Sequence, residues 1–173
     1  MVHNPAHEYV TESRGVSPVH AYVAEQGNGV ARSEIEHTTL TGRSVALAAT
    51  VTAEERAMIA DRVLSIDPVS NECFRNTLRL WELDDRFHYV EGFAVRSDLD
   101  VGGVEHAWAL LDGEKLVDPT TAFDHYFGVR ITDADILQRY ADESPNHGVL
   151  GNHTDRFAYL RERGFIGDGA TGE

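Results

Sequence analysis

Cys73, His106 and Asp118 are the residue types that carry out acyl transfer when they meet. A thiolate attacks a carbonyl carbon. An imidazole takes a proton and returns it to the leaving group, and a carboxylate steadies the ring through its other nitrogen. All three lie between Ser70 and Thr121, in the runs S-N-E-C-F-R-N-T-L-R-L-W, F-H-Y-V-E-G-F-A-V and G-V-E-H-A-W-A-L-L-D-G-E-K-L-V-D-P-T-T. Each has a plain structural reading when taken alone. A lone buried cysteine is ordinarily a small hydrophobe, a histidine in an alternating strand can bond backbone, and an aspartate before proline commonly opens a turn. Their ordered combination is what points to chemistry.

The elements that must position these residues follow from local pattern. Asp67-Pro68 favours a turn, and Ser70 or Asn71 can cap a helix whose apolar face is Phe74, Thr77, Leu78 and Trp81. Asp84-Asp85 ends it. Cys73 then falls in the first turn, where free backbone N–H groups and the helix dipole favour a negative charge and can hold an oxyanion. Val104–Leu111 and Lys115–Val117 read as a hairpin about the turn signal Asp112-Gly113. A two-residue connection puts His106 and Asp118 on opposite faces. A three-residue connection, or a bulge, sets Trp108 opposite Asp118, with His106 its diagonal neighbour on the same face at roughly 7–8 Å. A triad therefore requires the odd loop, with Gly113 as its left-handed residue.

Four short motifs carry a family resemblance. They are C-x-x-N at Cys73–Asn76, Y-V-E-G at Tyr89–Gly92, E-H-A-W at Glu105–Trp108 and V-D-P-T at Val117–Thr120. In this order, on helix, strand and next strand, they resemble the transglutaminase-like, papain-like cysteine superfamily over roughly the middle third of the chain. The resemblance implies an α+β fold, a helix packed on an antiparallel sheet, and thioester chemistry on an amide or ester. Cys73 would be the nucleophile, His106 the base and Asp118 the orienting acid. The family's upstream oxyanion side chain has no clear match; Asn71 is the nearest polar candidate. Superfamily members include hydrolases, acyltransferases and inactive binding versions, so an inactive module sequestering a ligand or partner protein is the alternative.

Glu91 and Trp108 are further substrate-contact candidates. Glu91 inside a strand is costly unless exposed or paired, and an ion pair with Arg75 or Arg79 is the reading slightly preferred. Asn76 is expected to bond the hairpin backbone. Zinc on Cys73, His106 and Asp118, or on His147 and His153, is a weaker rival, because no H-x-x-x-H or C-x-x-C pair occurs. No metal or cofactor is expected.

With 15 basic and 29 acidic residues the net charge is −14, which argues against nucleic acid and anionic membranes as partners. An amide- or peptide-containing substrate is the expected partner. A single cysteine rules out an internal disulfide. With no leader pattern and no long apolar run, a cytoplasmic setting is the default expectation. One domain is expected over residues 21–166, after an irregular arm at 1–20 and before a flexible tail at 167–173. His20–Ala24 and Glu34–Leu40 read as short strands, and Ser44–Val51 as a buried strand or an approach to a helix. Thr52-Ala53-Glu54-Glu55 is a capping box opening a helix to about Ser65. Another helix starts at Thr132-Asp133. A last one, capped by Thr154, is expected over Asp155–Arg163 up to Gly164.

Overall fold

The seven strands of one antiparallel sheet run in the order β1-β7-β4-β5-β6-β3-β2 and curl into a half-barrel. They are β1 (Asn28–Val30), β2 (Ile35–Leu40), β3 (Arg43–Ala48), β4 (Phe87–Val95), β5 (Val104–Leu111), β6 (Lys115–Asp118) and β7 (His125–Ile131). Among the described residues six α-helices accompany them: α1 (Pro5–Glu12), α2 (Pro18–Gln26), α3 (Ala53–Ile66), α4 (Cys73–Leu83), α5 (Ala134–Glu143) and α6 (Ala158–Glu162). The fold is a single α+β domain with helices packed on an antiparallel sheet, seen in a computed structural model that describes residues 3–99 and 102–167. No helix among the described residues is long and apolar enough to cross a membrane.

Strand alternation divides the core into layers. On β4, Tyr89, Phe93 and Val95 join the helix-side cluster with Val10, Val23, Leu78 and Leu137, while Val90 and Ala94 face Trp108, Leu116 and Tyr126 inside the half-barrel. A second helix-side cluster sets Ile59, Val63 and Ile66 of α3 beside Leu80 of α4 over Ala109, Leu111 and Val117, so α3 packs beside the cysteine helix. Each fully buried side chain of this size stabilises the fold by about 1.5–3 kcal/mol.

The capping box at Thr52 forms as expected: Glu55 N donates to Thr52 Oγ1 at 3.1 Å, and Thr52 N donates to Glu55 Oε1 at 2.9 Å. The strand expected over Glu34–Leu40 is β2, and the apolar run from Ser44 resolves as β3.

Other expectations are corrected. The arm expected over residues 1–20 is not irregular where the structure describes it, because α1 begins at Pro5 and α2 at Pro18. His20–Ala24 lies within α2 rather than in a strand. Asn4 and Ser17 cap these helices, and proline fits the first helical position because its missing N–H has no partner there anyway. The last helix is only Ala158–Glu162, since Thr154 and Asp155 turn onto Asn152 Oδ1 instead of starting it. Beyond Gly167, the expected tail lies outside the described residues.

Candidate active site

The β5–β6 connection has three residues, because Leu111 pairs with Lys115 and leaves Asp112, Gly113 and Glu114 between the strands. Asp112 and Gly113 both take left-handed backbone, at φ 55° and 76°. Glycine adopts this freely, and aspartate is among the residues that tolerate it. The register Ala109↔Val117 continues to set Trp108 against Asp118, which is the odd-loop geometry the triad requires. His106 Nε2 stands 2.7 Å from Asp118 Oδ2, and both residues are buried.

Asp118 is held from every side. Its Oδ2 also accepts from the Tyr126 hydroxyl at 2.7 Å, and its Oδ1 accepts from the backbone N–H of Thr120 at 3.0 Å and of Thr121 at 3.2 Å. The chain therefore wraps back over the carboxylate straight after Pro119. Tyr126 and Phe123 also pack near the imidazole, with ring centroids at 6.3 and 4.7 Å, and Trp108 stacks at 6.2 Å. In the sequence, Phe123, Tyr126, Phe127 and Val129 cluster after the hairpin, a run that reads either as a cover for one edge of the site or as closing the core. The direct grip of the Tyr126 hydroxyl on Asp118 had no signal beyond that clustering.

Cys73 is the first residue of α4 and is 7% exposed. The expected caps Ser70 and Asn71 do not cap this helix. The N-cap is Glu72, and no side chain caps the end. Asn71 is exposed and left-handed at φ 66° in the preceding turn. The helix start is fixed instead by Asn76, whose Oδ1 accepts from Val69 N at 3.0 Å and whose Nδ2 donates to Val69 O and Thr120 Oγ1, each at 2.9 Å. Asn76 thus ties the turn before Cys73 to the loop after Asp118, rather than bonding the hairpin backbone. β6 ends at Asp118, so continuing the register puts His106 beside Thr120, past the end of that strand. Asn76 of α4 meets Thr120 at this gap.

The His106 ring is held by Asp118 and feels the nearby Cys73. Burial works to lower its pKa. The charge and hydrogen bond of Asp118, and after them the hydrogen bond and charge of Cys73, outweigh burial and push it up to about 10. With Nε2 committed to Asp118, Nδ1 is the nitrogen left to meet the thiol. Asp118 therefore favours the protonated form of the ring.

Glu91 is also buried, but it pairs with neither Arg75 nor Arg79. Its Oε1 accepts from the Tyr89 hydroxyl at 2.6 Å and from Val149 N at 2.7 Å, and its Oε2 accepts from Leu150 N at 2.8 Å and Gly151 N at 3.3 Å. Burial pushes its pKa up to about 7 against these bonds. One carboxylate thus fastens the loop around residues 148–151, and a Cβ placed on Gly148 would lie 2.8 Å from the ring of Phe74, the neighbour of Cys73. Sequence pattern gave no sign of this clamp, because its donors are backbone groups some 58 to 60 residues away. Trp108, the remaining candidate, floors a cavity of about 360 Å³ inside the half-barrel with Val90, Gly128 and Arg130. Among the described residues no group of three His, Cys, Asp or Glu side chains is arranged to hold a metal ion.

Compared with protein-family models, curated proteins and solved structures, the chain matches none.

Proposed function

We propose that this chain is a cysteine-dependent hydrolase or acyltransferase that acts on an amide or isopeptide bond through a thioester on Cys73. The observation that carries this reading is a buried imidazole hydrogen-bonded to Asp118, with the thiol that begins the uncapped helix α4 near enough to act on its charge. The same arrangement on helix, strand and next strand supports reading the core as transglutaminase-like.

The raised His106 pKa supports its role as proton acceptor. His106 takes the proton of the Cys73 thiol as the sulfur attacks, and the imidazolium so formed then acts as the acid. The Cys73 sulfur forms a bond to the carbonyl carbon, and the carbonyl electron pair moves to oxygen, where the free N–H groups at the start of α4 receive it. The oxyanion collapses, the carbon–nitrogen bond breaks, and the departing amine takes the proton from His106. Water or a second amine then gives its proton to the neutral imidazole and attacks the thioester, and the sulfur leaves as thiolate.

The burial of Cys73 favours one second reading, an inactive module on the same scaffold that holds a ligand or partner protein. Alkylation with iodoacetamide, followed by intact-mass measurement, separates the two. An active thiol reacts near neutral pH much faster than the same chain unfolded in urea, and His106→Ala abolishes the difference. Activated esters then leave a hydroxylamine-labile acyl adduct on Cys73. A folded chain that alkylates no faster than the unfolded one excludes the enzyme and leaves the module.

A further inference from the structure

A cleft of about 510 Å³ is lined by Arg43, Ser44, Ser70, Arg96, Thr120 and Thr121 among others. Two of its walls are chain neighbours of the site residues. Ser70 lies in the turn leading into Cys73, and Thr120 and Thr121 are the residues whose N–H groups hold Asp118. Asn76 fastens those two walls together through Val69 and Thr120.

The charge here runs against that of the chain. Net charge is −14, yet among the described residues the lining carries two arginines and no acid. Arg96 shares its fork with Asp98 at 3.2 and 3.0 Å, an exposed pair that solvent screens. Arg43 gives its hydrogen bond to the carbonyl of Pro68 instead of to a carboxylate, so its charge is not neutralised by that partner. Arginine presents several donors in a planar fork that matches a carboxylate, and nearby hydroxyls can complete the set.

We propose that this cleft is the subsite for a carboxylate borne by the acyl substrate, with Arg43 as its main counter-charge and Arg96 at the rim. The substrate is then an acidic acyl compound, such as an amide with a free carboxylate close to the scissile carbonyl. The inference rests on Cys73 being the nucleophile, and it narrows what that nucleophile attacks.

The test compares matched electrophiles on the full chain: iodoacetate against iodoacetamide, and, for longer reach, maleimidopropionate against N-ethylmaleimide. The quantity read is the ratio of charged to neutral rate constants, set against the same ratio for the chain unfolded in urea. The folded chain is expected to favour a charged reagent by on the order of tenfold, and the preference should shrink as salt is raised. Arg43→Gln, which can still donate to Pro68, and Arg96→Gln should lower the ratio. Arg43→Lys, which keeps the charge, should retain most of it. A fast thiol whose rates ignore reagent charge in both pairs, or a preference that survives loss of both arginines, overturns the subsite and leaves the nucleophile standing. A thiol slow toward all four reagents removes the nucleophile, and the subsite with it.

Discussion

His106 Nε2 and Asp118 Oδ2 stand 2.7 Å apart because the strands that carry them are joined by three residues rather than two. That contact is the main support for the imidazole's proton, so Asp118→Asn is the sharpest probe of the site. The amide keeps the shape and the two acceptor contacts of one oxygen, but it drops the charge and the other two. Alkylation of Cys73 near neutral pH should fall by roughly tenfold or more, the scale on which a neighbouring opposite charge shifts an imidazole. The deficit should close at alkaline pH, where thiolate forms without a cationic partner. An Asp118→Asn protein that alkylates like the parent at neutral pH would disconnect the carboxylate from the thiol.

Tyr126 acts on the site through Asp118, as a positioning residue. Its buried hydroxyl donates to Asp118 Oδ2 and accepts from Phe123 N at 3.1 Å. Tyr126→Phe strands that N–H and takes one donor from a buried carboxylate, so a stability loss of about 1–3 kcal/mol is expected. It should be read as a lower urea midpoint at unchanged slope. The alkylation rate should move less than in Asp118→Asn. Equal midpoints for the two proteins would mean the hydroxyl is not engaged as described.

Gly92 lies opposite His106 on β4 and opposite Gly128 on β7. A Cβ there would come within 2.3 Å of Phe127 O and 2.4 Å of Gly128 Cα, and both are backbone atoms that cannot swing aside. Gly92→Ala should force β4 and β7 apart and destabilise the chain by roughly 3 kcal/mol or more, with weakened amide protection in β7. Ala substituted without change in thermal midpoint would contradict this spacing.

How much of this was legible in the sequence depended on how local the cause was. The hairpin geometry followed from period-two alternation and one turn, so the requirement of an odd loop at Asp112–Glu114 could be stated in advance. α3 announced itself through its reciprocal cap. The starts of α1 and α2 were legible too, as Asn4-Pro5 and Ser17-Pro18, a capping residue followed by proline at the first helical position. Read only as loop formers, those prolines led to an irregular arm. Asp155 and Asn152 show the opposite limit, since Thr154 carried a cap signal that a competing side-chain turn overrode. The Glu91 clamp and the Tyr126 contact depend on groups brought together by the sheet, and no spacing rule reaches them.

The two raised pKa values predict where stability is lost as pH rises. Glu91 is pushed from 4.5 in an ordinary environment to about 7 in the fold, and His106 from 6.5 to about 10. In each case the folded chain binds the proton more tightly than the unfolded one, so the contribution is fully present below the unfolded value and is lost as pH rises through the folded value. For Glu91 the window runs from 4.5 to about 7, and the loss is on the order of 3 kcal/mol. Glu91→Gln should flatten stability across that acid window while lowering it overall, because an amide cannot accept from all four donors. His106→Gln should leave the acid window intact and flatten the alkaline one, from 6.5 to about 10. Urea midpoints measured for both proteins across the two windows assign each slope to its residue. A parent whose stability climbs between 4.5 and 7, or a Glu91→Gln protein that keeps the parent's slope there, would mean that the carboxylate beneath residues 149–151 does not hold its proton as its burial requires.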